Sequence, residues 1–151
     1  MPSDEDLLIY LALVCMTITE FIELRYLYDM HTMINKFAHG LNWDNLAQKL
    51  KNSRHKSCVF FALKLSEELF GTNFPQDFIN AIKPGIIKRL ILGFWINKNN
   101  VLRNWDYASR RWYYFFTPWH YFMSSYLYSE NIIDCAKIIY KKISLSIADR
   151  N

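Results

Sequence analysis

The sequence predicts an all-α fold, a compact bundle of about seven to eight helices forming a single domain over residues 1–151. Three observations predict it. Four glycines and four prolines are too few for the many tight turns of a sandwich or barrel. Hydrophobic residues at 52% and aromatics at 17% supply a large core and exclude a disordered chain. Apolar residues recur every three to four positions in the longer segments, which is the period of a helix with one buried face.

Each element has a local reason. Ser3 followed by Asp6 approximates a capping box, and the apolar run from Leu7 continues the helix to about Ile18. A second helix is expected over 20–37, with Phe21, Leu24, Tyr28 and the run from Met33 to Phe37 at helical spacing and Gly40 just past its end. Asn42 can cap a short helix reaching Leu50. The clearest pattern is 56–70, where Val59, Ala62, Leu63, Ser66, Leu69 and Phe70 fall on one stripe and Gly71 supplies a left-handed stop. Pro75 starts a further short piece that Pro84 and Gly85 end. A helix is expected over 86–96 and a polar loop over 97–100. Helical patterns follow over 104–116, 119–129 and 131–147, with Pro118 separating the first two. The expected core includes Leu11, Leu27, Leu46, Ala62, Leu63, Leu69, Phe78 and Leu90.

Charge divides the chain. Residues 1–82 carry 7 Lys+Arg against 10 Asp+Glu, and residues 83–151 carry 11 against 4. The second part is both basic and aromatic, with Arg103, Arg110, Arg111 and Trp112 among rings that could hold phosphates and stack bases. Cys15, Cys58 and Cys135 are odd in number, widely spaced and without a CxxC, so neither a disulfide framework nor a zinc site is expected. The acidic Asp4-Glu5-Asp6 start is not a secretory signal, and the location expected is cytoplasmic. Residues 7–19 are too short an apolar run to cross a bilayer, and 112–129 is interrupted by polar groups, so a membrane is not the expected partner.

Catalytic patterns are sparse. Asp4 and Asp6 form a literal Asp-x-Asp, the pair that nucleotidyl transfer uses to hold magnesium. Here it precedes a helix and follows no phosphate-binding turn. No Gly is followed by Ser, and His31, His39, His55 and His120 have no metal-ligand spacing. Arg25 with Asp29, and Lys64 with Glu68, are spaced as helix-surface ion pairs.

Four phrases taken in order, SDEDLLIYLAL, ELRYLYDMHTMI, LNWDNLAQKLK and VFFALKLSEELFGTNFPQDF, resemble the helical C-terminal portion of the uncharacterised nucleotidyltransferase family. The resemblance covers about residues 3–82. Its most specific parts are Arg25 to Asp29, Trp43-Asp44, and Leu69-Phe70-Gly71 followed by Pro75. In that family a polymerase-β-like catalytic region precedes these helices, and its Gly-Ser turn and metal-binding carboxylates have no equivalent here. The resemblance therefore implies an accessory helical domain of a truncated or split nucleotidyltransferase. Such a domain is inert alone, has no catalytic, cofactor-binding or metal-binding residues, and takes a separately encoded catalytic domain as partner. It implies that Arg25 and Asp29 belong to a partner surface. The alternative is an autonomous module binding RNA or another polyanion through Arg103, Arg110, Arg111 and Trp112.

Overall fold

The computed structural model of the protein describes residues 3–17, 24–37, 40–51, 53–103, 125–127, 129, 137 and 140. Of these, 81% are helical and none lies in a strand, so the fold is all-α. Among the described residues up to Arg103, seven helices follow in order: α1 (Asp4–Thr17), α2 (Leu24–Phe37), α3 (Trp43–Lys51), α4 (Lys56–Phe70), α5 (Gln76–Ile82), α6 (Ile86–Trp95) and α7 (Lys98–Arg103). The chain forms two compact units, Met1–Tyr107 and Ala108–Asn151.

The first unit is built around α4. Nine of its residues are buried: Ser57 to Leu63 without interruption, then Leu65 and Ser66. That includes Val59, Ala62, Leu63 and Ser66 of the expected stripe, while Leu69 and Phe70 are half-buried. A helix apolar on most of its circumference must be enclosed, and α4 packs against α1, α2, α5 and α7. Helix α1 is also apolar on all sides, so its sequence does not choose a face. Packing buries Leu8, Ala12, Val14, Cys15 and Met16 and leaves Leu7 and Tyr10 outward. On α2 the buried line is Leu27, Met30, Met33 and Ile34, so Tyr28 and Phe37 stand in solvent.

Several helix ends match the sequence reading. Ser3 and Asp6 form the reciprocal capping box: each side chain accepts the other's backbone N–H, at 3.3 and 3.4 Å. The Asn42 side-chain oxygen accepts the Asn45 N–H at 3.0 Å. Gly71 takes φ 68° and donates its N–H to the Glu67 carbonyl, which ends α4.

Beyond Gly71, Thr72 is buried and locks the helix end with side chains. Its hydroxyl donates to the Ser66 carbonyl at 3.0 Å, so the Ser66 hydroxyl, 2.5 Å away, must donate to Thr72. The His31 Nδ1 lies 2.8 Å from the same oxygen, and with the Thr72 proton already committed, Nδ1 carries the proton. The Nε2 of His31 then accepts from Asn35 at 3.0 Å. This chain fastens α2 to the end of α4 and leaves no buried hydroxyl unsatisfied within it, a cost otherwise of about 1–3 kcal/mol each.

Three expectations are corrected. Leu90 is 70% exposed and is not core. Helix α6 carries two apolar lines, and packing selects the one through Leu92 and Ile96. The loop expected over 97–100 contains the start of α7. The Glu68 carboxylate accepts the Lys98 N–H at 3.3 Å, and this tertiary partner for a helix-start amide is invisible locally. Lys64 pairs with Glu67 at 2.5 Å, one residue before the partner expected.

In the second unit, Ser125–Leu127 is helical, and Ser125, Tyr126, Leu127 and Ser129 are buried. Lys137 and Tyr140 are also helical and are exposed, and the helical patterns read over 104–116, 119–129 and 131–147 otherwise fall outside the described residues. Among the described residues no helix is long and apolar enough to cross a membrane.

Leu63 is fully buried on the central helix. Changing Leu63 to Asp should abolish the cooperative thermal transition, because an unpaired buried charge costs several kcal/mol against a total stability of about 5–15 kcal/mol. Circular dichroism melting checks this, and an unchanged midpoint would show that α4 is not the core helix.

Candidate functional site

A cleft of about 550 Å³ lies where α3 and α5 begin, lined by Gly40, Leu41, Asn42, Trp43, Asp44, Pro75, Asp77 and Phe78. Local sequence explains why the two helix starts meet. Gly40 and Leu41 both donate their N–H groups to the Phe37 carbonyl, at 2.8 and 3.0 Å, which turns the chain out of α2. Asn42 then caps α3, while Pro75, extended at φ −61° and ψ 132°, starts α5. Trp43 and Phe78 pack with ring centroids 5.0 Å apart and planes tilted by 52°. Leu41 and Phe78 are buried, Trp43 is half-buried, and Asp44 and Asp77 are exposed at the rim.

The N-terminus of α1 holds this edge in place. Glu5 is buried, and its carboxylate accepts the Asn42 N–H at 3.3 Å. The Lys49 ammonium donates to Asp6 at 2.8 Å and to the Ser3 hydroxyl at 3.3 Å. Hydrogen bonds from Lys49 and then Ser3 hold the Asp6 carboxyl below its ordinary value of 3.8. Hydrogen bonds accepted from Ser3 and from the backbone amides of Glu5 and Asn42 likewise hold the Glu5 carboxyl below 4.5.

Chemically, the cleft offers carboxylate acceptors and an aromatic wall. Its lining contains no Lys, Arg, His, Cys or Ser. It suits a donor-rich or cationic group and repels a phosphate. Among the described residues no cluster of His, Cys, Asp or Glu could hold a metal ion. Cys15 is buried in α1, and burial pushes its thiol up to about 12, far from a reactive thiolate.

Of the site residues named from sequence, Arg25, Asp29 and Arg103 lie among the described residues. Arg25 and Asp29 are both exposed on α2. The Arg25 guanidinium lies 5.0 Å from the centre of the Tyr26 ring and donates to the Tyr26 hydroxyl at 3.2 Å. Arg103 is the last residue of α7. Arg110, Arg111 and Trp112 lie outside the described residues. Asn42, Asp77 and Phe78 were not singled out for a site. Their signals are position, at helix starts following Gly40 and Pro75, and membership of the phrases LNWDNLAQKLK and VFFALKLSEELFGTNFPQDF.

The lowered carboxyls give a pH dependence whose sign is fixed. Stability from ionised Asp6 and Glu5 is fully present above their ordinary values and is lost as pH falls through the lowered ones, so the window runs from neutral pH down into strong acid. Asp6→Asn should melt lower than the parent at neutral pH and lose less on acidification, read by thermal melts at both ends of that window. An equal acid loss in both proteins would show that Asp6 is not coupled to folding. No family model, curated protein or solved structure matches this chain.

Proposed function

We propose that this helical domain is the accessory part of a nucleotidyltransferase and is catalytically inert by itself, acting beside a catalytic fold that lies outside these 151 residues. One observation carries the reading. Residues from two of the phrases that resemble the nucleotidyltransferase family, Leu41 to Asp44 of LNWDNLAQKLK and Pro75, Asp77 and Phe78 of VFFALKLSEELFGTNFPQDF, are far apart in sequence, yet they line one cleft. Family-like residues that converge on a surface feature are better accounted for by a shared docking or substrate-shaping role than by core packing alone.

The electrostatics of the N-terminus support inertness. Two-metal phosphoryl transfer needs carboxylates converging on ions about 3.5–4 Å apart. Asp4 and Asp6 are two residues apart on α1, so their side chains diverge by roughly 200° around the helix axis. Asp6 is already engaged by Lys49 and by the cap with Ser3. The acidic rim of the cleft would also repel a triphosphate, which is the behaviour of a surface that receives a partner's basic groups.

The measurement is incubation of the purified chain with each labelled nucleoside triphosphate, magnesium or manganese, and a mixture of protein or RNA acceptors. No transfer above background is expected. Transfer by the chain alone that disappears on changing Asp4 and Asp6 to Asn would overturn the proposal, since it would make the acidic start a metal site. Transfer that requires an added polymerase-β-like catalytic domain, and falls when Trp43 is changed to Ala, would support it.

A further inference from the structure

Helix α6 leaves the second of its two apolar lines in solvent. Ile86, Ile87 and Leu90 are 64%, 65% and 70% exposed, and Phe94, one turn on, is 72% exposed. Lys88, in contrast, is only 8% exposed, on the side that also buries Leu92 and Ile96. At 100° per residue, the exposed side chains occupy an arc of about 100°, running for roughly 12 Å along the helix. Half-buried Ile91 borders it. The arc contains no polar side chain.

Along the sequence its charged neighbours have one sign, and the exposed Glu68 carboxylate, which accepts the Lys98 N–H at 3.3 Å, is the acid at that end of the helix. Between Asp77 and Asp106 the sequence holds five bases, Lys83, Lys88, Arg89, Lys98 and Arg103, and no acid. Lys83 and Lys98 are both exposed and flank α6 at its two ends. An apolar ridge bracketed by lysines is the pattern of a helix that lies in the plane of an anionic membrane surface. Its side chains enter the acyl boundary, and its cations meet the headgroups.

We propose that α6 docks this protein on anionic lipid surfaces through Ile86, Ile87 and Leu90, with Lys83 and Lys98 contacting the headgroups. Two other occupants fit less well. A second copy pairing through the same ridge would bring lysines at the helix ends of both copies together, a like-charge arrangement that opposes association. A protein partner ordinarily forms about one hydrogen bond per 100–200 Å² of interface, and this arc supplies no polar side chain to make one. A fluid lipid surface needs no such register. Docking in the plane also does not require a spanning helix.

Flotation of the full chain with vesicles tests this. It should float with phosphatidylcholine vesicles containing phosphatidylserine, not with phosphatidylcholine alone, and raised salt should release it. Ile87→Ser combined with Leu90→Ser should keep the parent melting temperature, because both side chains are exposed, and should lose at least about tenfold in partitioning. Lys83→Glu with Lys98→Glu should abolish the preference for phosphatidylserine. The proposal is overturned if the parent does not float with either vesicle, or if the Ile87/Leu90 variant binds as the parent does. It is overturned equally if sedimentation velocity shows a dimer of the parent that this variant abolishes, which would give the ridge to a second copy.

Discussion

Enclosure of α4 is the constraint on which the rest of the first unit depends. Its seven consecutive buried residues, Ser57 to Leu63, cannot be covered by one neighbour, so α1, α2, α5 and α7 are each recruited to part of its circumference. The polar groups that this burial would strand are satisfied locally. Ser66 and Thr72 close on each other, and His31 reaches across from α2 to complete the chain. Hydrophobic burial sets which helices meet, and the hydroxyl–imidazole chain fixes where α2 sits against the end of α4.

The cleft follows from that arrangement at one remove. Helices α3 and α5 are short, and neither could hold a surface alone. They are stable as a pair because Trp43 packs on Phe78, and because Glu5 and Lys49 tie α3 to the beginning of α1. The acidic N-terminus therefore has a structural task, shaping the cleft edge. The same Asp-x-Asp that resembles a metal site in one dimension is a helix cap and an ion pair in three.

Much of the fold was legible in the sequence wherever local chemistry decides the outcome. The capping box at Ser3 and Asp6, the Asn42 cap and the left-handed Gly71 are all set within a few residues of chain. Where the structure departs from the reading, the deciding contact is distant. Glu68 supplies a partner to the first amide of α7 from thirty residues away, turning an expected loop into a helix. Leu90 and Leu92 are equally apolar, and only packing reveals that Leu92 faces inward. The cleft was the least legible part. Its residues are ordinary helix-start residues until α3 and α5 are placed side by side.

The buried thiols offer a use unconnected with catalysis. Cys15 sits on α1 and Cys58 on α4, both shielded from solvent, and the raised pKa of Cys15 suppresses its thiolate further. An alkylating reagent reaches such a sulfur only when the surrounding segment opens, so the modification rate at each position times the opening of its own helix. The two helices thus carry native reporters, and whether α1 detaches before α4 can be read by mass spectrometry without introducing a label.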